Sequence, residues 1–245
     1  MVSVLENVDL WDAVSPAVEG ERGLYIALSG NTGAGKTTMI CNVVNQAQAL
    51  GHAVIGISER SLHHPYLPRM FFDPNRYAFP IQLNFMLHRH LVLLRQLELG
   101  RSVVIERSHF DDEMFMREHA DAGRISPEQS AAYLHLATVL HAALRAPDIL
   151  VLLNPDPEVS LRRLGEAEEK SERPREFPNE EAKERWVRRW HERYEDLHQK
   201  LADRCQNESQ FSGTTLMKLD ASLPSETNAA TVLKALLERS VAAHA

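Results

Sequence analysis

The sequence predicts an α/β protein: a doubly wound, five-stranded parallel sheet flanked by helices, with a lid segment. Two observations predict it. Short apolar runs alternate with longer stretches of helical periodicity, the pattern of a parallel sheet covered on both faces. The first run also leads directly into Gly30-Asn31-Thr32-Gly33-Ala34-Gly35-Lys36-Thr37, a G-x4-G-K-T loop, with Thr38 next in line.

Taken in order, residues 24–28 read as the first strand, because a strand buried on both faces is a continuous apolar run. The glycines after it let the backbone curl so that N–H groups converge on phosphate oxygens, at the positive end of a helix over 35–50. Lys36 then reaches the β- and γ-phosphates and Thr37 a magnesium ion. The alternative is a glycine-rich turn that binds nothing, which has no need of a Lys-Thr pair at these positions. Strands follow at 53–58, 102–105, 149–153 and 216–219, separated by helical stretches at 75–99, 111–145, 156–204 (interrupted) and 224–243. Together these define a P-loop NTPase-type sheet, with ligands outside the carboxyl ends of its strands. The charged, proline-broken stretch 165–180 reads as a mobile loop, and the lid is expected at about 163–180. Residues 1–22 form an N-terminal extension, and 23–245 a single domain.

Composition narrows the partners. With 44% hydrophobic and 25% charged residues the chain is that of an ordinary globular protein, and its net charge of −7 disfavours a nucleic-acid or membrane-surface role. Cys41 and Cys205 lie in no metal-ligand spacing and are expected as free thiols of a cytoplasmic protein. No apolar stretch approaches a membrane span. The histidines form no zinc pattern, and Trp186 and Trp190, one turn apart, are expected to pack against the core.

The acceptor of any phosphoryl group must be read elsewhere. Glu59, just past the second strand, is placed to take a proton from an acceptor hydroxyl, or is simply an exposed carboxylate. Glu106 and Arg107 follow the third strand, where Glu106 would help hold magnesium and Arg107 would neutralise developing charge; a structural ion pair is the alternative. Gln82 and Arg89 share a face of the 75–99 helix and, with Asp112, would make a base-reading cluster. Read alone they are more often the solvated face of an amphipathic helix.

The stretches His64-Pro65-Tyr66-Leu67, Phe72-Asp73-Pro74-Asn75-Arg76-Tyr77-Ala78-Phe79-Pro80-Ile81-Gln82 with Arg89, and Glu106-Arg107-Ser108 with Asp112, Met114, Phe115 and Ala122-Gly123-Arg124-Ile125-Ser126 form successive blocks. They resemble the nucleoside-binding segments of bacterial deoxyadenosine and deoxyguanosine kinases, members of the deoxynucleoside kinase family. The region of Tyr194 is similar to a later helix of that family. The resemblance implies an ATP- and Mg²⁺-dependent kinase of a nucleoside 5′-hydroxyl, usually a homodimer. It implies Glu59 as base, Gln82 as the residue pairing with the nucleobase, and Glu106 and Arg107 near the metal and reacting oxygen. The Arg89 and Asp112 pair implies a purine deoxynucleoside or deoxycytidine before thymidine. Phe115 falls among the nucleoside-binding positions.

Two departures stand out. Phe71 replaces a tyrosine that contacts the sugar 3′-oxygen, and a lid run of Arg-Gly-Arg is absent. Arg163 remains to meet phosphate, with Arg173 or Arg175 as substitutes and Glu169 or Glu172 as sugar contacts, while Asp220 and Ala221 fall at the donor-base loop. Three readings follow: a (deoxy)nucleoside kinase, a P-loop kinase of a modified nucleoside or other small alcohol, and a non-catalytic nucleotide-binding homologue.

Overall fold

A computed structural model describes residues 22–243, and side chains as far as Arg239; most of the expected N-terminal extension lies outside this range. Five parallel strands, β1 (Tyr25–Gly30), β2 (Val54–Ile57), β3 (Ser102–Glu106), β4 (Ile149–Leu153) and β5 (Thr215–Leu219), form one sheet in the order β2-β3-β1-β4-β5. The register sets Ile26 opposite both Val104 and Ile149, and Ile57 opposite Ile105. The chain reverses its direction of travel across the sheet on either side of β1, so the carboxyl end of β1 is where a crevice opens.

The strands are apolar throughout because both faces are covered. On one face, α1 (Lys36–Ala49) and α8 (Ser225–Ala243) pack Met39, Ile40, Val43, Val232 and Leu236 against Ile26, Leu28 and Val151. On the other, α3 (Pro74–Glu98) and α7 (Glu180–Asn207) contribute Ile81, Phe85, Leu93 and Leu201 against Tyr25, Val103, Ile105 and Leu150. Burying each Val, Leu or Ile contributes about 1.5–3 kcal/mol, which fixes which side of each helix faces the sheet.

The boundaries follow local chemistry. Asp73 caps α3 by accepting from the Arg76 N–H, and Asn179 caps α7 by accepting from Ala182. The stretch 111–145, expected as one helix, is two: α4 (His109–Asp121) and α5 (Pro127–His141). Gly123 adopts φ 69° after α4, and Ser126 and Gln129 cap α5 reciprocally, with Pro127 at its first position. Between β2 and α3 lie a 3-10 turn, Glu59–Leu62, and a short helix, α2 (Leu67–Phe72), neither anticipated.

The irregular segment is also shorter than the loop expected at 165–180. Helix α6 (Pro157–Glu169) runs through the first residues of the predicted loop, because Glu and Ala favour helix even where charge is dense. The irregular connection to α7 is confined to 170–179.

Candidate active site

The crevice is built from the carboxyl ends of β1, β2 and β3. Gly30 adopts φ 152°, and a Cβ there would lie 2.0 Å from the Leu153 carbonyl oxygen, so only glycine lets β1 turn away beside β4. Gly35, at φ 88°, forms the cap position of α1 and leaves the first N–H groups of that helix facing the crevice. Asn31 ties the loop to α7 by donating to the Val187 carbonyl at 2.8 Å.

Lys36 is buried, with Nζ donating to the Asn31 carbonyl at 3.0 Å and lying 3.6 Å from Glu106. Burial, reinforced by Arg107, pulls its pKa down to about 8, against the opposing pull of Glu106 and Glu59. A triphosphate bound beside it would restore the charged form. ATP binding above pH 8 would then take up a proton, and Kd for ATP is expected to rise by up to about tenfold per pH unit. Calorimetry in buffers of different ionisation enthalpy checks this; a Kd flat from pH 7 to 9.5 contradicts it.

Thr37 donates its hydroxyl to Glu106 at 2.9 Å. The same buried carboxylate accepts from the Glu59 N–H at 3.2 Å and lies 3.5 Å from the Ser58 hydroxyl. Among the described residues no cluster of three or more His, Cys, Asp or Glu could hold a metal. One hydroxyl and one carboxylate are the oxygen donors suited to Mg²⁺, which keeps waters and phosphate oxygens for its other positions.

Glu59 begins the 3-10 turn, which Ser58 caps by accepting from the Arg60 N–H. Its carboxylate lies 2.7 Å from Arg107 Nε. Burial raises the Glu59 pKa, but Arg107 and Lys36 outweigh it and hold the carboxyl at about 2. Arg107 has φ 66°, an unfavourable conformation for a non-glycine residue, and its N–H donates to the Leu28 carbonyl at 2.7 Å. Its guanidinium donates to the Tyr194 hydroxyl and stands 4.7 Å from the Phe115 ring centroid. Tyr194 donates in turn to Asp111 at 3.0 Å, and Asp111 accepts from Ser29 and Ser108. Asp111 and Tyr194, both fully buried, thus hold Arg107 from behind. The sequence reading passes over Asp111, although Ser108-x-x-Asp111 is a legible helix-capping pattern.

Two cavities meet at Glu59 and Arg107. One, about 440 Å³, is walled by Gly33, Ala34, Gly35, Lys36, Thr37 and Thr38 on one side and by Arg163, Ala221 and Asn228 on the other. Arg163 donates to the Ala221 carbonyl at 2.8 Å and reaches the Ala34 carbonyl at 3.4 Å. Asp220 is not among the residues lining this cavity, and its carboxylate accepts from the Ser222 N–H and hydroxyl. Thr32 lines both cavities.

The second cavity, about 380 Å³, is lined by Phe71, Gln82, Phe85, Asp112, Phe115, Phe177 and Trp186 among others. Arg89 pairs with Asp112 through two contacts, 2.7 and 3.1 Å, as expected. Its remaining donor, Nη1, bonds the Glu106 carbonyl at 2.5 Å, so Arg89 lies behind the wall and braces Glu106. Trp190 lies in the core and Trp186 packs against it, as expected. Half-buried, Trp186 also meets Phe71 and Phe177 at ring separations of 6.1 and 6.0 Å in the cavity wall. Of the lid candidates, Glu172 and Arg173 line both cavities, whereas Glu169 and Arg175 line neither.

A glycine-rich loop between a central parallel strand and its helix, with a Lys and a Thr directed at an acidic strand end, defines a P-loop phosphate-binding protein. Residues 26–240 match the family model for deoxynucleoside kinases, and the chain belongs to that family. It is 30% identical over 145 residues to a deoxyadenosine kinase of Dictyostelium discoideum, covering 58% of this chain and 56% of that protein. It is also 30% identical over 150 residues to a deoxyadenosine/deoxycytidine kinase of Bacillus subtilis, covering 60% and 67%. The aligned part thus spans little more than half of the first of these relatives. The fold is similar to a deoxyadenosine kinase of M. mycoides solved with dCMP and dCDP, at TM-score 0.66 and 19% identity over 87% of this chain and 98% of that one.

Proposed function

We propose that this protein transfers the γ-phosphoryl group of ATP to the 5′-hydroxyl of a deoxynucleoside, a purine deoxynucleoside or deoxycytidine ahead of thymidine. The observation that carries the reading is the Glu59–Arg107 pair at the junction of a phosphate-loop cavity and an aromatic, amide-lined one. The triphosphate enters the first, the nucleoside the second, and the reacting oxygen and phosphorus meet between them.

Glu59 is ionised at neutral pH and accepts the hydrogen of the 5′-hydroxyl, orienting the oxygen on the γ-phosphorus. The O–P bond forms, the β,γ-bridging bond breaks to release ADP, and the hydroxyl proton passes to Glu59 late, once the oxygen has lost its basicity. A loose transition state asks for little earlier proton removal, so a carboxylate of low pKa suffices. Lys36 and Arg107 stabilise charge on the transferring oxygens. When bound by Thr37 and Glu106, Mg²⁺ would neutralise the β- and γ-phosphates.

Gln82, buried in the helix wall, offers a donor and an acceptor to a base edge. The family resemblance extends the reading to a homodimer. A modified nucleoside is the second reading, favoured by Phe71, whose ring with Phe177 and Trp186 presents an apolar wall. The non-catalytic reading finds no support in the intact Glu59–Arg107 pair.

The test is kcat/KM over the four common deoxynucleosides with Mg·ATP. Deoxyadenosine, deoxyguanosine or deoxycytidine is expected to exceed thymidine by about tenfold or more, the discrimination a site with buried polar groups achieves. Thymidine as the preferred acceptor overturns the assignment of Arg89 and Asp112.

A further inference from the structure

Two Glu-Arg-Ser triplets, Glu59-Arg60-Ser61 and Glu106-Arg107-Ser108, follow the neighbouring strands β2 and β3. The two are cross-linked, since Glu59 pairs with Arg107 and the Glu59 N–H bonds Glu106. The function proposed above uses Glu59, Glu106 and Arg107 and leaves Arg60 unassigned.

Arg60 lines both cavities, as do two other basic residues, Arg107 and Arg173. Arg107 faces Glu59 at 2.7 Å, Arg173 faces Glu176 at 2.6 Å, and Lys36 lies 3.6 Å from Glu106. Among the described residues Arg60 pairs with no carboxylate. Its guanidinium makes a long contact, 3.4 Å, to the backbone carbonyl of Glu172 in the lid connection. A full positive charge thus stands at the junction against a neutral acceptor. A phosphoryl oxygen is a far stronger partner for a guanidinium than a distant carbonyl.

We infer that Arg60 is a further catalytic residue of the proposed phosphoryl transfer: its guanidinium contacts the transferring phosphoryl group, opposite Arg107, and its contact with Glu172 couples that charge to the lid. This inference rests on the function proposed above. It supplies a second charge from the 3-10 turn after β2, where α6 offers Arg163 in the wall of the first cavity, engaged with the Ala34 and Ala221 carbonyls, and leaves Arg162 exposed beside Glu166. Such a contact acts on the transition state more than on bound ATP, because charge on the equatorial oxygens is then in transit.

Arg60 is exposed, so its substitution leaves the core untouched. Arg60→Met is expected to lower kcat by about tenfold to a hundredfold with KM for the nucleoside within about threefold, and Arg60→Lys to recover part of the loss. Binding of Mg·ADP with aluminium fluoride, which mimics the phosphoryl in flight, should weaken by a similar factor while Mg·ADP alone binds as before. A kcat for Arg60→Met within about twofold of wild type, or equal weakening of both complexes, overturns the inference. If the wild-type protein phosphorylates no nucleoside, the proposed function fails; the aluminium fluoride comparison needs no acceptor and decides Arg60 by itself.

Discussion

Glu59→Gln is expected to lower kcat by about a hundredfold or more while leaving Kd for Mg·ATP within about twofold. The amide is nearly isosteric and keeps a carbonyl toward the acceptor, yet it cannot take the proton or hold the hydroxyl with a full charge. ATP affinity is expected to survive at neutral pH because Lys36 and Thr37 are held by the Asn31 carbonyl and Glu106 rather than by hydrogen bonds to the Glu59 carboxylate. Arg107 stays in place, held by Tyr194 and by the face of Phe115. The change is therefore expected to remove the proposed proton acceptor without dismantling the site. Rapid-quench turnover and equilibrium ATP binding check it together, and an unchanged rate removes Glu59 from the chemistry.

The largest expected effect on stability comes from Arg89→Met. Arg89 and Asp112 are both buried and joined by two contacts, and Arg89 also bonds the Glu106 carbonyl. Removing the guanidinium leaves a carboxylate unpaired in the interior, at about 3–5 kcal/mol, or a fall in Tm of about 6–20 °C for a chain of this size. Burial raises the Asp112 pKa and Arg89 opposes that rise, so without Arg89 the carboxyl protonates more readily. The penalty is accordingly expected to shrink as pH falls from 7 toward 5, because a neutral Asp112 is cheaper to bury. Asp112→Leu in the same chain should restore much of the loss. Denaturant midpoints of the two single variants and the double variant test this, and additive losses would contradict it.

The elements that position the site were largely legible. Buried parallel strands are apolar runs, and 149–153 was read to the residue. The glycine loop announces itself because its geometry leaves no choice of residue. Less was visible where local signals compete. Ser126-Pro127 ends one helical stretch and opens another, yet the apolar period continues across it and reads as one helix. The Glu-rich end of α6 reads as loop because charge density resembles disorder, although those residues favour helix.

Within the site, residues at strand ends could be found and the supports behind them could not. Glu59 and Arg107 directly follow β2 and β3, where the topology opens the crevice, whereas Gln82 stands on α3 in the wall of the second cavity. Asp111 and Tyr194 are 83 residues apart, and nothing in either neighbourhood indicates that they meet. The Glu106 carbonyl that accepts from Arg89 is a backbone group, invisible to any reading of side-chain types. The spacing of Trp186 from Trp190 indicates that both pack against the core, but not that Trp186 also reaches the cavity wall.

Direct transfer across the Glu59–Arg107 junction is tested most plainly by phosphorus NMR of the products formed from Mg·ATP and deoxyadenosine. Deoxyadenosine 5′-monophosphate and ADP in equal amounts are the expected result. ADP with inorganic phosphate and an unmodified nucleoside, or phosphate placed on the 3′-oxygen, would contradict it.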